Sequence, residues 1–79
     1  MIILNEKENK AYNMDNMICI GTKDNELNCR MVNSAEKVVI ATFEDENLAI
    51  DTLKDVLSGY SREKDNLYII RNYDVDRSV

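Results

Sequence analysis

Residues 17–31 read MICIGTKDNELNCRM, and the register of this stretch decides how the rest of the chain is organised. Asp24-Asn25 suits the two central positions of a type I′ hairpin turn, which both need positive φ. With that two-residue loop, Lys23 faces Glu26, an opposite-charge cross-strand pair. Thr22 then faces Leu27, Ile20 faces Cys29 and Ile18 faces Met31, all on one face. Asn28 and Arg30 point to the other face, the alternation of a half-buried antiparallel strand. The same register separates the cysteines, placing Cys29 on the core face and Cys19 on the opposite one. A disulfide needs Cβ atoms about 3.5–4.5 Å apart, so two free thiols are expected. A three-residue loop, Lys23 to Asn25, would instead set Cys19 opposite Cys29.

Outward from the hairpin, MIILN and KAYNM read as short strands around the turn EKEN, and DN at 15–16 interrupts them. NSAE, 33–36, is a further turn before the β-branched run KVVIATF. Asp45 is a good helix N-cap and Glu46 adds an acid to the first turn. Ala49, Ile50, Leu53, Val56, Leu57 and Tyr60 recur at three- and four-residue spacings, so a helix is expected over about 45–60, with Gly59 near its end. LYIIRNY, 67–73, reads as a last strand. The expected fold class is α+β: a single antiparallel meander sheet of about 4–5 strands, packed on one face by one helix, in the order β-β-β-β-α-β. Residues 1–79 form one domain, with about 74–79 a loose tail.

The totals narrow the function. Fifteen acids against ten bases give a net charge of −5, which disfavours nonspecific binding to nucleic acid phosphates. Residues 44–57 hold five acids and one base, so the acidity is concentrated there. The chain has no histidine, which removes Ser-His-Asp and Cys-His arrangements and the usual general base. Two cysteines fall short of a four-ligand structural zinc site. Two glycines give no phosphate-cradling loop. EDE and DVD read as solvated acids rather than as a catalytic carboxylate pair. An enzyme is not expected, nor a cofactor or metal. The apolar run MIIL is too short for a signal or membrane span, and a cytoplasmic protein without membrane contact is expected. Asn, Ile and Lys supply 24 residues, and their AT-rich codons suggest a low-GC bacterium or its phage.

The segments NMDNMICI, KDNE, ATFEDENLAIDTLKDVLSGY and LYII resemble short uncharacterised proteins of low-GC Gram-positive bacteria and their phages and prophages. Phe43, Asp45, Glu46, Ala49, Leu53 and Tyr60 carry the resemblance. Leu48, where a charged residue is usual, and Gly59, ahead of the tyrosine, depart from it. No active site is implied. The resemblance implies an accessory role, including inhibition of bacterial immunity.

The expected function is therefore a non-enzymatic interaction protein, an inhibitor of a bacterial defence system that binds a host protein. Glu46, Asp51 and Asp55 on the acidic helix face are candidates to meet a basic nucleic-acid site on that target. Arg30 and Asn28 on the open sheet face, with Met17, Cys19, Val38 or Ile40 beside them, are candidates for self-association into a dimer or larger homo-oligomer. The alternatives are an oligomeric sponge for a nucleotide second messenger, with Arg30, Arg71 and Tyr73 at the junction, and a regulatory or structural subunit.

Overall fold

A computed structural model describes residues 1–61 and 66–71. Strands β1 (Ile2–Asn5) and β2 (Lys10–Asn13) form a hairpin, and a 3₁₀ turn, Met14–Asn16, follows them. Then come β3 (Met17–Lys23), β4 (Glu26–Met31), β5 (Lys37–Thr42), the helix α1 (Glu46–Ser61) and β6 (Leu67–Ile70). The α+β class is as expected. The single sheet is not: the strands form two three-stranded sheets, β2-β1-β6 (sheet I) and β3-β4-β5 (sheet II). Five strands, not four, precede the helix. The expected tail at 74–79 lies outside the described residues.

The division into two sheets has a local cause and a distant one. Locally, the 3₁₀ turn buries Met14 and is capped by Asn13, whose side-chain oxygen accepts the Asp15 N–H at 3.0 Å. This turn redirects the chain, so β3 does not continue the hairpin. At a distance, β6 pairs in parallel with β1, Ile2 opposite Leu67 and Asn5 opposite Ile70, making β1 the middle strand of sheet I. A parallel partner needs a long crossover, and here the crossover contains all of sheet II and the helix.

Sheet II is the antiparallel meander read from the sequence. Lys23 faces Glu26, Thr22 faces Leu27 and Ile20 faces Cys29, as the two-residue turn requires. Beyond Cys19 the register slips, and Met17 rather than Ile18 stands opposite Met31. Ile18 is the extra residue of a β-bulge and is 65% exposed. The turn also departs from type I′, because Asp24 is at φ 53° but Asn25 is not in the left-handed region. Asn25 is held from outside the hairpin. Its carbonyl accepts the Phe43 N–H at 2.8 Å, and its Nδ2 donates to the Phe43 carbonyl at 2.6 Å. Asn9 and Asn33 take φ 55° and 70° in the other two turns, a conformation asparagine tolerates better than most residues.

The inner face of sheet II supplies the buried side chains Leu27, Cys29, Ile40 and Ala41. Helix α1 packs on this face over β3 and β4. It opens as its N-cap predicts, with Asp45 Oδ1 accepting the Leu48 N–H at 2.9 Å. Ala49, Val56 and Gly59 are its fully buried positions, and Leu53 is half-buried. Leu57 and Tyr60, expected on the core side, are 44% and 45% exposed. The apolar stripe is wider than the sheet surface beneath it, so its flank stays in water.

One polar side chain joins the sheets. Asn5 is 1% exposed. Its Nδ2 crosses from β1 and donates to the Ile40 carbonyl on β5 at 2.8 Å. The β4–β5 register shifts between Leu27 and Asn28, so Ile40 is skipped by the ladder and its carbonyl is left for Asn5. Asn5 Oδ1 also accepts the Glu8 N–H at 3.2 Å. Every buried side-chain nitrogen and oxygen among the described residues has a partner, the condition under which a buried amide is tolerated.

Candidate interaction surfaces

The strands that bury Leu27 and Cys29 turn their alternate residues outward. Across sheet II, Cys19, Arg30 and Lys37 form one row on neighbouring strands, and Gly21, Asn28 and Val39 form the next. Lys23, Glu26 and Thr42 form a third row at the far end. Arg30 is exposed and Asn28 half-buried, both on the outer face as expected. The apolar neighbours are different from those expected. Met17 and Val38 pack against the core and Ile40 is fully buried, so of the four only Cys19 faces outward. The bulge at Ile40 is the reason: it puts Val39, not Val38, beside Asn28. Ile18 and Val32, both more than half exposed, lie at the Arg30 end, where the Val32 N–H donates to the Asn16 carbonyl at 2.7 Å.

This face is cationic although the chain is acidic. Lys23, Arg30 and Lys37 stand against Glu26, whose carboxylate lies 4.0 Å from the Lys37 Nζ. A pair as exposed as this contributes about 0–1 kcal/mol. The sequence pattern contains these residues, but the shift at Ile40 has no local signal, so Val39 could not be assigned to the face before the fold was known.

Helix α1 carries the opposite charge. Glu46, Asp51, Lys54 and Asp55 are all exposed; Asp51, Lys54 and Asp55 share one side of the helix, while Glu46 lies on the opposite flank from Asp55, because nine residues make two and a half turns. Asp55 Oδ2 accepts a 3.5 Å hydrogen bond from the Tyr68 hydroxyl of β6, which places it beside sheet I. Because α1 lies on the inner face of sheet II, the acidic helix surface and the cationic sheet surface point in opposite directions. Arg71 is exposed immediately after β6. Tyr73 lies outside the described residues.

Two titratable groups packed in or against the core are shifted upward. Burial pushes the Cys29 thiol up, and the nearby Cys19 adds to the shift. The Tyr12 hydroxyl is raised by burial first, then by Glu8 and Cys29. A thiol in apolar surroundings is inert. Cys29 is buried and Cys19 exposed, on the opposite faces that the turn register requires. Among the described residues no group of three His, Cys, Asp or Glu side chains could hold a metal ion. No helix among them is long and apolar enough to cross a membrane. No protein-family model, curated protein or solved structure matches the chain.

Proposed function

We propose that this chain is a non-enzymatic interaction protein of phage or prophage origin that inhibits a bacterial defence system in the cytoplasm by binding a host protein. The observation that supports this reading is the exposed acid pair on one side of α1, Asp51 and Asp55, with Glu46 exposed on the opposite flank. At 1.5 Å of rise per residue, the Asp51 and Asp55 carboxylates are spaced along the axis by about 6 Å. Phosphates on one strand of DNA advance by about 3.4 Å each, so every second phosphate falls at about 7 Å. A basic groove that holds nucleic acid would accept such a pair as a substitute. The rigid helix presents it without the ordering cost of a flexible tail.

Native mass spectrometry of the protein recovered from its host tests the reading. The expected result is one host protein retained in fixed ratio, released by salt, and lost from Glu46→Gln/Asp51→Asn/Asp55→Asn. Recovery of a bound nucleotide with no host protein would overturn it in favour of the sponge. A host protein retained equally by the triple variant would remove the acidic helix from the contact.

A further inference from the structure

We propose that a second copy of this chain docks where the unpaired edge of β3 runs beneath an apolar flank of α1. The product is a two-fold dimer with a continuous six-stranded sheet, three strands from each copy. The contact leaves the side of α1 that carries Asp51 and Asp55 uncovered and does not depend on any host target.

The strand edge is the first observation. Sheet II runs β3-β4-β5, so β3 has a neighbour on one side only. The Phe43 N–H donates to the Asn25 carbonyl, which fixes the alternation along β4. Asn25, Leu27 and Cys29 turn their backbone groups toward β5, and Glu26, Asn28 and Arg30 turn theirs toward β3. Lys23, Gly21 and Cys19 are the partners of those three. Ile20 and Thr22 therefore aim N–H and C=O away from the sheet, and no other backbone group among the described residues bonds them. Between the bulge at Ile18 and the turn at Asp24 this edge carries a single charge, Lys23 at its end, and no proline. It lacks the side chains that usually block strand addition. Gly21 is the midpoint of the segment. Its φ is not positive, and a Cβ built on it would have nothing within 4 Å. Nothing in the single chain asks for glycine there, although glycine weakens a strand and often marks the close approach of another backbone. Antiparallel pairing about Gly21 sets it opposite its own copy. Ile20 then exchanges backbone bonds with the second copy's Thr22, and the two Lys23 side chains stay at opposite ends.

The helix flank is the second observation. Ile50, Leu53, Leu57 and Tyr60 recur at steps of three, four and three residues, the spacing of a helix-pairing seam. Ile50 and Leu53 are half-buried and Leu57 and Tyr60 exposed, while the positions turned to the core are the smaller Ala49, Val56 and Gly59. Asp55 is on the opposite flank, where it reaches Tyr68 of sheet I. The seam thus faces away from sheet I, on the side of the free β3 edge.

One axis serves both layers. Helix α1 packs equally on β3 and β4. At a strand spacing of about 4.8 Å, it sits about 2.4 Å inside β3, and the two-fold axis lies about 2.4 Å outside it. The two helices then stand about 9.6 Å apart, within the 8–10 Å of packed helices. An axis normal to the sheet makes both the strand pair and the helix pair antiparallel. Leu53 meets Leu57 and Ile50 meets Tyr60, and the Glu46 carboxylates at the end of the seam stay about 27 Å apart. Any other partner would have to present a strand edge and an apolar helix at this same offset, which a second copy does by symmetry.

Sedimentation equilibrium on the purified chain, with no host protein present, tests this. The mass should reach twice the 9.1 kDa of the single chain at micromolar concentration and stop there. It should persist at about 1 M salt, where the screening length is about 3 Å. Leu57→Asp should weaken the dimer at least tenfold with an unchanged circular dichroism spectrum; if the spectrum changes, Leu57→Ala replaces it, with a several-fold loss expected. The strand layer is tested by air oxidation. Gly21→Cys/Cys19→Ser should form a covalent dimer, because the two new thiols face each other across the axis, whereas Val39→Cys/Cys19→Ser, on the far strand of the same face, should not. A chain that is monomeric at all concentrations would overturn the proposal, as would a mass that grows past the dimer. Association untouched by the Leu57 variant, or cross-linking no faster at position 21 than at position 39, would overturn it equally.

Discussion

Replacing Asn5 with alanine tests the connection between the two sheets. The side chain is 1% exposed and donates to a carbonyl that the β4–β5 ladder leaves out. Alanine removes the donor and strands the Ile40 carbonyl in the core. An orphaned buried acceptor costs about 1–3 kcal/mol. The other two bonds lost, from the Glu8 N–H to Oδ1 and from Nδ2 to Glu8 Oε2 at 3.3 Å, lie at an exposed turn where water replaces the Asn5 side chain, so together they add only about 0.5 kcal/mol. The expected loss is therefore about 2–3 kcal/mol. For a chain of this size each kcal/mol moves the thermal midpoint by about 4–8 °C, giving a fall on the order of 10–20 °C. Urea titration followed by circular dichroism should show a lower midpoint with an unchanged slope, because the surface exposed on unfolding is the same. Asn5→Asp refines the test. A carboxyl there can donate to the Ile40 carbonyl only when protonated, and burial raises its folded pKa. A raised folded pKa means that this variant's stability is greatest below the unfolded value of about 3.9 and is lost as pH rises through the folded value. Relative to the unmodified protein, the variant should be least stable at neutral pH. An Asn5→Ala midpoint within about 0.5 kcal/mol of the unmodified protein would refute the reasoning, since that is the range of an ordinary surface change.

Three other outcomes follow from burial and capping. Phe43→Ala should cost about 3–5 kcal/mol because Phe43 is fully buried, whereas Leu53→Ala should cost less than the about 2–5 kcal/mol of a buried leucine; equal midpoint shifts in urea would contradict this ranking. In the native protein an alkylating reagent should label Cys19 and spare Cys29, with both labelled after unfolding. The raised pKa values of Cys29 and Tyr12 mean that stability present below about pH 9 declines as pH climbs through the folded values, and Cys29→Ala should flatten the Cys29 part of that decline in a pH series of urea midpoints. Asp45→Ala removes the acceptor for the Leu48 N–H and should cost about 1 kcal/mol of stability, while Asp45→Asn should recover most of it.

The parts of the fold that could be read directly were those with local causes. The two-residue loop Asp24-Asn25 sets the hairpin register as far as Cys19, although Asn25 leaves the type I′ conformation to bond Phe43, and Asp45 with the Ala49-to-Val56 spacing fixes the helix and its start. The two bulges could not be read. Each depends on what packs behind the strand: Met17 and Met31 at one end, and the Asn5 amide at Ile40 at the other. The separation into two sheets was also hidden, because Ile2 and Leu67 carry no local sign that they are neighbours. Among the surface candidates, Asp51, Asp55, Arg30 and Asn28 are exposed or half-exposed on the sides that helical spacing and alternation give them, whereas Glu46, expected beside the two aspartates, is exposed on the other flank of α1. The apolar part of the sheet face was misassigned by one residue, Val38 for Val39, since a one-residue shift exchanges the two faces of a strand.

The parallel pairing of β1 with β6 has a consequence for the time course of synthesis. Ile2 and its partner Leu67 are 65 positions apart. At a translation rate of about 5–20 residues per second, the ribosome needs roughly 3–13 s to make the second strand after the first has been polymerised. Sheet II does not depend on β6, because its strands are consecutive and its turns short. The hairpin of β1 and β2 must wait with one edge unpaired until β6 emerges, and such an edge is open to pairing with another nascent chain. A chain cut before residue 67 therefore keeps every strand of sheet II and only the hairpin of sheet I.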